Sequence, residues 1–117
     1  MPFLAPMPSL AAIREHKRNA KLAQLHKGAS ALVATHPGCE VWLFGSLARG
    51  DWDAYSDVDL LAIAPSKAVA DDLAGDLLSA GLADDVIALS QDRWQALKSG
   101  DDPYWRAIGQ DAVHLAG

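Results

Sequence analysis

Val41-Trp-Leu-Phe-Gly-Ser-Leu-Ala-Arg-Gly50, followed by Ser56-Asp-Val-Asp-Leu60, decides how this chain is read. An apolar run ending in Gly45-Ser46 predicts a hydrophobic strand that runs into a turn. After ten intervening residues, Ser46 is followed by Asp57 and Asp59, spaced i and i+2. Alternate side chains of an extended strand share a face, so this spacing sets the two carboxylates side by side while Val58 and Leu60 turn toward a core. Acids held so close repel unless a cation lies between them or one is protonated. A neighbouring turn with free backbone N–H groups suits a phosphate. Acid pair and turn together predict Mg²⁺-dependent chemistry on a nucleoside triphosphate.

Outward from this centre, helices and strands alternate. Ser9 predicts an N-cap after a proline-rich lead over residues 1–8, and Leu10, Ile13, Leu22, Leu25, Ala29, Leu32 and Val33 recur at helical spacing as far as Pro37-Gly38. A first strand is expected over 40–44, a short helical turn over 47–49, an aspartate-rich loop over 50–55 and a second strand over 57–64, stopped by Pro65. The apolar stripe Val69, Leu73, Leu77 predicts a helix over 66–79, ended by Gly81, before a third strand over 84–89. A short helix over 91–98, a helical turn over 105–110 and a last strand over 112–115 complete the order. The expected fold is α/β (α+β): a small mixed sheet of about four strands with helices packed on one face, in a single domain over 9–117. The acid pair points to the other face.

Metal ions that bridge attacking and leaving oxygens in phosphoryl or nucleotidyl transfer need a third acid beyond one D-x-D pair. The strand at 84–89 offers it. With Asp85 toward the site, Val86 and Ala88 pack inward and Ile87 and Leu89 share its face; with Asp84 there instead, Asp85 meets a costly burial. Asp85 is therefore the expected third ligand.

Composition narrows the partners. Residues 1–30 carry five Lys/Arg against one acid, whereas 31–117 carry five against fourteen, within a net charge of −5. An acidic body repels a long nucleic acid. The basic stretch Arg14, Lys17, Arg18, Lys21 reads either as a solvated helix face or as a docking surface. No apolar run is long enough for a membrane span, the proline-broken start is not a signal peptide, and the single cysteine, Cys39, excludes an internal disulfide. A cytoplasmic protein is expected.

Leu43-Phe-Gly-Ser-Leu-Ala-Arg-Gly50 with Ser56-Asp-Val-Asp-Leu60 resembles the signature of the minimal nucleotidyltransferases of the DNA polymerase β-like superfamily, and Asp85-Val-Ile-Ala-Leu89 resembles their third-carboxylate strand. The stretches 97–103 and 111–115 also resemble the family's ending. The resemblance implies that Asp57, Asp59 and Asp85 bind two Mg²⁺ ions, with Asp85 also helping to deprotonate the acceptor. It implies that Gly45 and Ser46 hold the β- and γ-phosphates of ATP. Arg49 belongs to the motif, either on phosphate or paired with an acid. One departure is Ala88, where the family often has another acid; facing away from the metals, it leaves the site complete. At this size the chain resembles MntA-type antitoxins, encoded beside a HEPN-domain ribonuclease toxin; that family transfers AMP from ATP to a tyrosine of the toxin. Two other functions stay open: nucleotidyl transfer to a small molecule such as an aminoglycoside, and neutralisation of a partner by binding alone.

The remaining conspicuous residues have plainer readings. Trp42, Trp94 and Trp105 are expected in packing. Trp52 and Tyr55 serve either adenine stacking, partner contact or loop packing. The four histidines lack metal-ligand spacing, and Cys39 reads as an incidental thiol.

Overall fold

The structure, a computed structural model, describes residues 9–51 and 56–117. The lead at 1–8 and the residues 52–55, including Trp52 and Tyr55, lie outside the described residues. Five helices and four strands follow one another as α1 (Leu10–Val33), β1 (Glu40–Phe44), α2 (Ser46–Arg49), β2 (Asp59–Ala64), α3 (Lys67–Ser79), β3 (Asp85–Ser90), α4 (Gln91–Ser99), α5 (Pro103–Asp111) and β4 (Val113–Ala116). The strands form one mixed sheet in the order β3-β2-β1-β4. β1 is antiparallel to both β2 and β4, while β2 and β3 are parallel and joined through α3, the crossover that a parallel pair requires.

Local chemistry sets the boundaries. Ser9, Ser66 and Ser90 each accept a backbone N–H from the first turn of the helix they precede, meeting donors that have no partner within the helix. The helical turn expected at 105–110 is a nine-residue helix, because Asp102 caps it and Pro103 occupies its first turn, where a missing N–H costs nothing. Pro103 starts this element, two residues before the expected turn.

Strand alternation separates two cores. Val41, Leu43, Leu60, Ala62 and Ala64 pack with Leu25 and Ala29 of α1 and Ala70, Leu73 and Leu77 of α3. Phe44, Leu61, Ile63 and Leu89 pack with Trp94 of α4 and Ile108 of α5. The expected helical layer on one face is thus α1 with α3. The opposite face, expected to be open, is covered in part by α4 and α5, whose tryptophans have enough area to close a second small core. Trp42 lies there against Trp94 and His114, at ring-centroid distances of 6.1 and 4.9 Å, and Trp105 packs at the border of the same core. Cys39 is buried in the first core, and burial pushes its thiol up and keeps it protonated.

Candidate active site

At the end of β1 the chain turns through Gly45, whose φ of 78° and ψ of −157° are open to glycine and strained for other residues. Its carbonyl accepts the Arg49 N–H at 3.1 Å, and the Gly50 N–H closes α2 on the Ser46 carbonyl at 3.0 Å. A Cβ on Gly45 would overlap a carboxylate oxygen of Asp59. The missing side chain is what lets this acid lie against the turn. The register agrees, since Phe44 pairs with Asp59 across β1 and β2.

Asp59 opens β2 directly beside Asp85, which opens β3 in the parallel register. Neighbouring strands lie about 4.8 Å apart, so the two carboxylates start from adjacent backbone positions. The expected second strand began at Asp57, but the ladder begins at Asp59. The reason lies at Val58: its N–H donates to the Asp84 carboxylate at 2.7 Å, and its carbonyl accepts the N–H groups of Asp84 and Asp85 at 2.9 and 3.3 Å. Val58 itself is buried, while Asp57, Asp84 and Asp85 are exposed and Asp59 is half-buried. Asp84 therefore braces the backbone between the two acids of the D-x-D pair. Val86 and Ala88 pack on the first core, while Ile87 and Leu89 lie with the second, on the side of Leu61 and Ile63.

The electrostatics report the same crowding. Burial first, then the charges of Asp85, Asp57 and Asp84, push the Asp59 carboxyl above the usual carboxylate range, with Arg49 opposing them. Arg49 pairs with Asp51, Nε to Oδ2 at 3.5 Å, and both side chains stay largely exposed.

Among the described residues, no three His, Cys, Asp or Glu side chains are gathered into a closed cation cage. Asp84 is committed to the Val58 amide. The donor set nonetheless fits Mg²⁺. The ion takes hard oxygen ligands, needs only one or two carboxylates beside phosphates and water, and relieves the repulsion that raises Asp59. Asp59 and Asp85 are register partners on adjacent parallel strands.

A family model for the nucleotidyltransferase domain matches residues 25–98, from the buried half of α1 to α4. The chain belongs to this family. Two solved structures share the fold of this nucleotidyltransferase domain. A candidate nucleotidyltransferase from Sulfolobus solfataricus is 17% identical with a TM-score of 0.56, over 94% of this chain and 90% of the other. A chain of a toxin–antitoxin structure with AMP-PNP is 23% identical with a TM-score of 0.51, over 79% and 73%. No curated protein matches the sequence significantly.

Two roles around the nucleotidyltransferase turn escaped the sequence reading of the site. One belongs to Asp84, weighed there only as the alternative to Asp85, whose carboxylate holds the Val58 amide. The other is Arg18, taken with its neighbours as part of a solvated or docking face. Its guanidinium reaches from α1 to α2, Nε to the Leu47 carbonyl at 3.0 Å and Nη2 to the Ala48 carbonyl at 3.4 Å. The signal was present: Arg18, Leu22, Leu25 and Ala29 stand at i, i+4, i+7 and i+11, so Arg18 continues the core-facing row.

Proposed function

We propose that this protein is a Mg²⁺-dependent nucleotidyltransferase that moves AMP from ATP to a tyrosine hydroxyl of a HEPN-type ribonuclease toxin and so acts as its antitoxin. The observation that carries the reading is the register that pairs Asp59 with Asp85 while Gly45 leaves room for the Asp59 carboxylate. Family membership supports nucleotidyl transfer. The similar toxin–antitoxin structure with AMP-PNP, an ATP analogue, supports the nucleotide and the kind of partner.

In this reading Asp57, Asp59 and Asp85 would hold two Mg²⁺ ions, which would supply neutralisation of the phosphate charge. Gly45 brings the backbone close to the β- and γ-phosphates, and the Ser46 hydroxyl donates to them. Asp85 takes the proton of the acceptor hydroxyl. That oxygen bonds to the α-phosphorus, the bond from this phosphorus to the β-bridging oxygen breaks, and pyrophosphate leaves with the electron pair. Arg49 is within electrostatic range of Asp59 and pairs with Asp51, which it would exchange for a phosphate oxygen in this reading.

The test is incubation with α-labelled ATP, Mg²⁺ and the protein encoded by the adjoining gene. Label is expected on a tyrosine of that protein, and equal labelling by Asp59→Asn refutes the assignment. A second readout needs no turnover. Mg²⁺ at about 100 times its dissociation constant should stabilise the wild type by roughly 2.7 kcal/mol, and Asp59→Asn by much less. Protection from the toxin by an Asp57→Ala, Asp59→Ala variant that still binds it would leave binding alone as the antitoxin's mechanism.

A further inference from the structure

The backbone of the three acids assigned to Mg²⁺ is tied together by a fourth acid. Asp57 and Asp59 flank Val58, and Asp84 immediately precedes Asp85. Asp84 and Val58 bond to each other twice. The Val58 N–H donates to Asp84 Oδ2 at 2.7 Å, and the Asp84 N–H donates to the Val58 carbonyl at 2.9 Å. A parallel ladder continued past Asp59 would give the Val58 N–H a backbone carbonyl as its acceptor. A carboxylate takes that place here, so the ladder stops at the Asp59 and Asp85 pair while Val58 stays fixed beyond its end. The bond is short for N–H···O, as expected of an ionised acceptor. Val58 is 5% exposed, which leaves little water to replace that acceptor.

The clamp stands on an anchored base. Gly81 and Leu82 close the end of α3 by donating to the Leu78 and Leu77 carbonyls at 3.0 and 3.2 Å, and Leu82 and Ala83 pack on the first core. Among the described residues no Lys, Arg or His forms an ion pair with Asp84. We infer that Asp84 is a positioning residue for Mg²⁺: by holding Val58 it fixes the backbone of Asp57 and Asp59 against that of Asp85 before a cation binds, and it is not itself a ligand. Without the clamp, a cation would have to order the start of β2 as it bound, and that lost entropy would oppose binding. Partners that orient metal ligands are commonly worth about 10- to 100-fold in metal affinity. The inference rests on the transferase reading for its ion, but the clamp can be measured without turnover.

The experiment compares wild type with Asp84→Ala, which removes the acceptor, and Asp84→Asn, which keeps an acceptor oxygen and removes the charge. Val58 amide exchange is followed by NMR in metal-free protein, and Mg²⁺ is titrated into each protein with and without ATP. Asp84→Ala is expected to lose Val58 protection and Mg²⁺ affinity, each by about tenfold or more. Asp84→Asn should keep the protection and stay within a few-fold of wild type in affinity. Labelling by Asp84→Ala should fall at limiting Mg²⁺ and largely recover at saturating Mg²⁺, whereas a mere folding defect would lower it equally at both. Equal loss of Mg²⁺ affinity in both variants, with Val58 still protected in Asp84→Asn, makes Asp84 a ligand and overturns the inference. Unchanged Mg²⁺ affinity per folded molecule in Asp84→Ala reduces the clamp to a structural bond and overturns it too. Should Asp84→Ala not fold, Asp84→Glu takes its place, keeping the charge but moving the carboxylate one methylene along, and the same losses are expected. Mg²⁺ binding by a wild type that labels no acceptor sinks the proposed reaction and leaves the clamp to the titrations. A wild type that binds no Mg²⁺ overturns both.

Discussion

Along β2, Leu60, Ala62 and Ala64 face one core and Leu61 and Ile63 the other, and the second row ends in a charged residue, Asp59. The first face is apolar along its length and sealed by α1 and α3. The second is sealed only where α4 and α5 reach, and beyond them it carries carboxylates whose charges, after burial, raise the proton affinity of Asp59. Burial on the first face stabilises the fold. The acids on the second destabilise it until a cation or a proton arrives. A single strand thus serves stability on one side and chemistry on the other, and substitutions on the two sides should separate these.

Asp59→Asn is the sharpest way to break the comparison. Labelling of an acceptor should fall on the order of 10³-fold, as for loss of a key electrostatic group, with thermal stability equal to or above that of the wild type. The pH dependence follows from the raised Asp59 carboxyl. The native state keeps this proton to higher pH than the unfolded chain does. The associated stability is therefore present at low pH and lost as pH rises through the folded value, above the usual carboxylate range. Urea titrations across that window should show a shallower decline for Asp59→Asn; identical slopes would mean that the acids do not crowd.

Leu60→Ala tests the opposite side of the strand. It should cost about 2–5 kcal/mol in urea unfolding, while transfer per folded molecule stays unchanged. Gly45→Ala joins the two effects. Its positive φ and the overlap with Asp59 predict a loss of about 1–3 kcal/mol along with much of the labelling. Combining it with Asp59→Ala should return the part due to overlap, leaving the backbone strain, so a double-mutant cycle should give a favourable coupling. The smallest effect is expected for Arg18→Met, about 1 kcal/mol from two lost hydrogen bonds in a partly solvated place. Looser α2 positioning should appear as a raised KM for ATP at nearly constant kcat.

Much of the fold was legible because its signals are local. Serines before helical stripes marked the starts of α3 and α1, Gly81 and Pro65 marked ends, and apolar runs gave the strands. The expected strand at 57–64 shortened to Asp59–Ala64 because the Val58 amide is taken by a carboxylate 26 residues away, a partner no window of sequence contains. The covering of the second face was missed for a related reason. α4 and α5 are short, α4 is mostly polar, and their burial rests on a few aromatic and aliphatic side chains, Trp94 and Ile108 above all.

The sequence by itself determined which residues can carry charge and where the chain must turn: Gly45, the Asp57 and Asp59 spacing, and the phase that sets Asp85 opposite Val86 and Ala88. These follow from covalent geometry and a two-residue period, which act within a few residues. Only the tertiary structure decided that Asp59 and Asp85 are register partners, that Asp84 clips Val58, that Arg18 holds α2, and that two turns of α1 stand clear of the core. Those facts depend on which distant segments share the sheet and its helical layers, and packing of the whole chain selects that arrangement.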